Sequence, residues 1–121
     1  MKIKVYIASP YTKGDRLENV RRQVEVAHDL RKFGVVPFVP LLSHYAHEIQ
    51  PEPYDIWLSE DFEWIAACNA LLRLPGESKG ADAEVTFAWR INIPVFYDVN
   101  ELISWKEKHA KPQADYPVLI E

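Results

Sequence analysis

Short apolar runs alternate along this chain with segments of helical period, and that alternation limits what it can fold into more than any other feature. Ile3-Lys4-Val5-Tyr6-Ile7-Ala8 is rich in β-branched and aromatic residues and stops at Ser9-Pro10, where proline has no N–H for a ladder. It predicts a first strand. Apolar residues then recur at Leu17, Val20, Val24, Ala27 and Leu30, lining one helix face between Asp15 and Phe33, with Gly34 as the stop. Val35 to Val39 contains Pro37 and is followed by Pro40, which predicts an edge strand at most. Leu41 to Tyr54, with His44, His47, Pro51 and Pro53, reads as a long irregular loop of the kind that carries function. Asp55 to Cys68 predicts a second helix, Ala70 to Leu74 a strand ended by Pro75-Gly76, Gly80 to Arg90 a third helix, Ile93 to Tyr97 a strand, and Asn100 to Lys108 a last helix. A polar linker, Ala110 to Asp115, leads to an apolar end, Tyr116 to Ile120, able to add a strand or pack on another chain.

Strands that alternate with helices imply a parallel sheet, because each parallel neighbour needs a right-handed crossover. The expected architecture is a small α/β sandwich forming a single domain over residues 1–121, shorter than the roughly 150 residues of a typical domain. In such sheets ligands bind beyond the carboxyl ends of the strands, near the point where strand order reverses. That rule selects the loops Ala8 to Asp15 and Pro75 to Gly80.

Composition removes several classes of function. Hydrophobic residues at 48% and charged residues at 26% are those of a globular protein and argue against disorder. Fourteen basic against eighteen acidic residues give a net charge of -4, without the positive field that holds a nucleic-acid polymer. A single Cys68 allows neither an intramolecular disulfide nor a cysteine zinc cage. With no signal-like start and no apolar stretch of about 18 residues, the expectation is a cytoplasmic protein without membrane association.

Pro75-Gly76-Glu77-Ser78-Lys79-Gly80-Ala81-Asp82-Ala83-Glu84 joins a strand to a helix and gathers two glycines, a hydroxyl and free backbone N–H groups at a helix start, a place suited to an anion. It has neither the Gly-Lys-Ser/Thr ending of a nucleotide-triphosphate loop nor the GxGxxG of a dinucleotide fold, so no cofactor is expected. The plain alternative is an ordinary turn with a Ser cap and acidic first-turn residues. His44 and His47 stand three apart, but without an HExxH pattern they predict no metal site.

Together with Tyr6-Ile7-Ala8-Ser9-Pro10-Tyr11, His44 and Asp61-Phe62-Glu63-Trp64-Ile65, this loop makes the chain from about Lys4 to Tyr97 resemble the nucleoside 2-deoxyribosyltransferase superfamily. That group includes nucleoside transferases and nucleoside 5′-monophosphate N-glycosidases. The most specific part is the G-x-x-x-E of Gly80 to Glu84, whose glutamate is the nucleophile in that family. The resemblance implies a flavodoxin-like (Rossmann-like) three-layer sandwich with four to five parallel strands. It also implies a small nucleoside or nucleotide substrate and a homodimer or higher homo-oligomer. Glu84 would attack the anomeric carbon and Tyr6 would hold that carboxylate. Ser9, Tyr11, His44, Gly76, Ser78 and Gly80 would bind substrate. The family usually has aspartate where this chain has Asn69, so Asn69 either orients the base, or another acid supplies the proton, or turnover is impaired. Ser78 is the residue found in the monophosphate glycosidases, and with Lys79 it tilts the expectation towards a 5′-phosphate.

The chemistry suits these residue types. An N-glycosidic bond breaks through an oxocarbenium-like centre that a carboxylate can stabilise and trap. Glu84 must then be ionised, which the start of a helix and a tyrosine hydroxyl both favour; its alternative is a plain surface acid complementing the dipole. Asp82 reads as a solvated acid, Asp61 as an orienting or capping acid, Trp57 and Trp64 as a packed face, and His44 either as a sugar or base contact or as a structural loop residue. The rival functions are a catalytically impaired nucleotide-binding module of the same fold and a flavodoxin-like redox or signalling domain. The second lacks both the phosphate loop of a flavin binder and the paired aspartates of a phosphoacceptor.

Overall fold

A computed structural model describes residues 2–109. Its elements run β1 (Lys4–Ala8), α1 (Arg16–Arg31), β2 (Val36–Phe38), a 3₁₀ turn (Pro40–Leu42), α2 (Ser43–Ile49), α3 (Tyr54–Ala66), β3 (Ala70–Arg73), α4 (Lys79–Arg90), β4 (Val95–Phe96) and α5 (Val99–His109). All strand pairs are parallel, in the order β2-β1-β3-β4. The chain therefore leaves β1 in one direction for β2 and in the other for β3, and the switch point lies between β1 and β3. The expected Rossmann-like α/β class and four-stranded parallel sheet are present.

The alternating residues of β1 divide the core into two. Val5 and Ile7 pack with Ala27 and Leu30 of α1 and Leu102 of α5 on one face. Tyr6 and Ala8 pack with Ile65 of α3 and Ala81, Val85 and Ala88 of α4 on the other. The functional residues predicted at Tyr6 and Glu84 belong to this second layer.

Two expectations are corrected. The buried stripe of α1 is Val20, Gln23, Ala27 and Leu30, whereas Leu17 and Val24 are exposed. Gln23 enters the core because every polar end is satisfied: its Nε2 donates to the Ile7 carbonyl at 3.0 Å and to Ser9 Oγ at 2.8 Å, and its Oε1 accepts from Leu41 N at 3.2 Å. The segment 41–54 is not an irregular loop. Pro40 opens the 3₁₀ turn that runs into α2, a position where proline's missing N–H costs nothing, and the non-helical part shrinks to 50–53.

The last predicted strand is shorter than Ile93 to Tyr97. Pro94 contributes only its carbonyl, to Leu71 N at 3.0 Å, and pairing is confined to Val95 and Phe96. The linker Ala110 to Asp115, the apolar end Tyr116 to Ile120 and the assembly expected of that end lie outside the described residues. Among the described residues no helix is long and apolar enough to cross a membrane.

Candidate active site

Glu84 sits two turns into α4 on the face that packs against the sheet, and it is buried at 7% exposure. Directly beneath it Tyr6, fully buried in β1, donates its hydroxyl hydrogen to Glu84 Oε2. Asp61 of α3 interacts with both groups and completes a cluster of two carboxyls and a phenol. Burial dominates its electrostatics, since a carboxylate out of water has lost its hydration. Burial, and then the neighbouring Asp61, push Glu84 up to about 8 against the opposing pull of the Tyr6 hydroxyl and Arg73. Burial likewise raises Asp61 to about 6, with Glu84 and Tyr6 hydrogen bonding pulling it down. Tyr6 is held far above the usual phenol range, first by burial and then by Glu84, and so stays a donor. The expectation that the helix start keeps Glu84 ionised is corrected: desolvation outweighs the dipole, and near neutral pH the pair holds about one proton between two carboxyls.

A cleft of about 360 Å³ opens beside this cluster, lined by Phe38, Val39, Leu42, Trp57, Asp61 and Trp64 among others. Tyr6 stacks on Phe38 at 5.7 Å between ring centroids, and Phe38 stacks on Trp64 at 4.8 Å, so an aromatic series leads from the buried phenol to a half-exposed indole. Trp57 is turned by its Nε1 donating to His47 Nδ1 at 2.9 Å. The two tryptophans pack on neighbouring rings, Trp64 on Phe38 and Trp57 on His47, and both also line the cleft.

The remaining predicted residues fall into groups. Tyr11 and His44 are brought together by a hydrogen bond between the phenol and Nδ1, and Arg16 lies over the Tyr11 ring at 5.8 Å. Ser9, buried, is held by Gln23. Ser78 is the N-cap of α4, its Oγ accepting from Ala81 N at 3.1 Å, which leaves its hydroxyl hydrogen available. A Cβ at Gly80 would come within 2.8 Å of the hydroxyl at the end of the exposed Tyr54 side chain, which would have to shift to admit it. Gly76 adopts φ +123 and would meet Pro10 Cγ at 2.7 Å, so the loops after β1 and β3 touch across the switch point. Gly76→Ala should cost on the order of 1–3 kcal/mol in denaturant unfolding from the backbone alone. A variant of wild-type stability would mean that this contact is dispensable.

Asn69 is not in the cluster. It is exposed at the amino end of β3, where its Oδ1 accepts from Lys4 N at 2.8 Å, because β3 begins one residue later and runs away from that edge. The acid beside Glu84 is Asp61, a residue read from the sequence as an orienting or capping group. Asp82 is the solvated acid expected, its side chain 71% exposed, and it also pairs with Arg73 Nη2 at 3.0 Å. Reading the sequence missed Arg73, Gln23 and Tyr54. The signal for Arg73 was present as a cation inside an apolar strand run, and for Gln23 as an amide in a helical stripe.

A parallel sheet with helices on both faces and a topological switch between β1 and β3 define a Rossmann-like α/β fold. More narrowly, the chain belongs to the family described as Domain of unknown function (DUF7768), whose model matches residues 3–98. Among solved structures it is similar to a 2-deoxyribosyltransferase from the psychrotolerant bacterium Bacillus psychrosaccharolyticus, with a TM-score of 0.53 and 19% sequence identity over 90% of this chain and 92% of that one. No curated protein matches the chain.

Proposed function

We propose that this protein cleaves or transfers at the N-glycosidic bond of a nucleoside or nucleoside 5′-monophosphate, with Glu84 as nucleophile. The observation that carries the reading is the Tyr6–Glu84–Asp61 cluster, in which buried Tyr6 and Glu84 meet and Asp61 lines an aromatic-walled cleft. The fold shared with a 2-deoxyribosyltransferase supports it. Glu84 is the weaker acid of the pair, so the productive state is the minority form in which the shared proton has moved to Asp61 while Tyr6 donates to the ionised Glu84. A Glu84 oxygen bonds to the anomeric carbon as the bond from that carbon to the base nitrogen breaks. The electron pair passes to the base, which takes the Asp61 proton. Water, deprotonated by Asp61, or the nitrogen of a second base then attacks the same carbon and frees Glu84. Trp64 and Phe38 offer a stacking wall for a planar base. Asn69, the departure that favoured an impaired binding module, stands at the amino end of β3 and outside the cluster, which supports Asp61 as the acid of the reading.

Incubation with a panel of nucleosides and their 5′-monophosphates, scored for released base, tests the reading. Release from at least one member, lost in Glu84→Gln, is expected. No release from any member with the folded protein would overturn it. Preference for monophosphates would place the phosphate by Ser78 and the loop amides, and preference for nucleosides would remove that assignment.

A further inference from the structure

Helix α3 sets three side chains of the cleft on one side of itself: Trp57, Asp61 and Trp64 follow one another at helical spacing, and all three line the cleft. The two indoles are backed differently. Trp64 stacks on Phe38, which stacks in turn on the buried Tyr6, so its place is set by the core layer that includes Tyr6. Among the described residues Trp57 belongs to neither core layer, and its orientation rests on a polar contact. Its Nε1 donates to His47 Nδ1 at 2.9 Å, and the imidazole stands edge-on to the indole with 6.0 Å between ring centroids. The same His47 nitrogen accepts from Glu52 N at 3.1 Å. One atom thus joins α2, the connection 50–53 and the first turn of α3.

Indole and backbone N–H groups only donate, so His47 Nδ1 presents its lone pair to both and the hydrogen bonds assign the ring hydrogen to Nε2. His47 does not itself line the cleft. From this geometry we infer that His47 is a positioning residue that fixes the Trp57 indole as a second wall of the cleft, against which the flat face of the substrate's base lies. Asp61, one turn further along the same side of α3, then meets the edge of that base. The inference rests on the glycosidic reading and names the contact by which that site recognises the base as distinct from the sugar. The reason for a fixed ring is energetic. An aromatic wall selects a planar ligand by stacking, and a ring already held in its bound orientation loses no freedom when the ligand arrives.

The test compares the intact protein with His47→Phe, His47→Gln, His47→Asn and Trp57→Phe. The readout is the indole N–H resonance of Trp57, assigned by its loss in Trp57→Phe and titrated with adenine, cytosine and thymine, with ribose 5-phosphate as a ligand that has no base. At least one base should move the resonance in the wild type. His47→Phe and His47→Gln should shift the resonance of the free protein upfield, as a lost hydrogen bond does, and weaken that base's binding by about three- to tenfold. His47→Asn should restore both to within about twofold, because Asn Oδ1, like His Nδ1, is bonded to Cγ, whereas Gln Oε1 lies one bond further out. Affinity for ribose 5-phosphate should be the same in all. A merely structural His47 would weaken base and sugar phosphate together and would not separate Asn from Gln. A resonance that no base moves, a resonance unshifted in His47→Phe, or equal loss of base binding in His47→Asn and His47→Gln would overturn the inference. Should His47→Phe fail to fold, Gln against Asn decides by the same criterion. In turnover the loss should fall on KM more than on kcat. Base binding at Trp57 without base release from any nucleoside would count against the glycosidic reading and leave this inference standing, whereas base release with KM untouched in His47→Phe would do the reverse.

Discussion

Replacing Glu84 by Gln should reduce base release by roughly a thousandfold or more and at the same time make the protein more stable at neutral and alkaline pH. The first effect follows from the proposed role, since an amide keeps the shape but cannot form the covalent bond to the anomeric carbon. The second follows from where the side chain lies. Glu84 is buried, and its carboxyl is pushed from the ordinary 4.5 up to about 8. Below about 4.5 both folded and unfolded chains hold the proton, and the group contributes no pH dependence. Between those values the unfolded chain releases a proton that the folded chain keeps, so stability falls as pH rises, and above about 8 the full penalty remains. Removing the charge removes the penalty. The gain of Glu84→Gln over wild type should grow from pH 4.5 to 8 and then level off. It should reach at most about 5 kcal/mol, because each tenfold change in proton affinity between folded and unfolded chains is worth about 1.4 kcal/mol. Thermal or urea unfolding at pH 4 and pH 8.5 measures it. An equal effect at both would show that burial does not hold the proton, and wild-type turnover in the variant would remove Glu84 as nucleophile.

Asp61→Asn is expected to lower base release by roughly 10²- to 10⁴-fold, the contribution of a positioned general acid. The pair offers one proton between a group near 6 and a group near 8, so activity should be bell-shaped, with its maximum between those values. The acid limb reports the proton that must leave the pair before a carboxylate can attack, and the alkaline limb reports the one that must remain to protonate the base. Without Asp61 the alkaline limb should vanish, and a substrate whose leaving group needs no proton should recover most of the lost rate. Asn69→Asp serves as the contrast. Its oxygen already accepts from Lys4 N at the amino edge of the sheet, a bond that Asp preserves, and turnover should change by less than about twofold. A large gain in Asn69→Asp with little loss in Asp61→Asn would reverse the assignment.

The elements of this protein are legible in its sequence because they rest on local periodicity. The alternation in Ile3 to Ala8, Gly34 after the first helix and Pro75-Gly76 after the third strand each act through nearby backbone geometry, and the parallel order follows from the alternation of strands and helices. Glu84 and Tyr6 were legible through a resemblance, and the structure brings them into contact. Segment 41–54 was less so, since prolines and histidines signal a loop, and the short helix buries no residue of its own but continues the 3₁₀ turn and is tied by His44 to Tyr11 and by His47 to Trp57.

What the tertiary structure alone decided is which acid faces Glu84 and what state the pair is in. Asn69 and Asp61 are eight residues apart, and either could stand near the start of β3 in a one-dimensional reading. The helix carrying Asp61 crosses the Tyr6 face of the sheet, whereas Asn69 precedes its strand at the opposite edge. Protonation is likewise a property of the fold. A glutamate near a helix start reads as ionised from sequence, but the closure of α3 and α4 over Tyr6 removes the water that would keep it so. The same closure buries Arg73, one of fourteen basic residues, against the turn after β3, where it bonds the Gly76 carbonyl and Asp82. Local sequence acts over a few residues of backbone, whereas desolvation and charge pairing depend on which distant segments exclude water together.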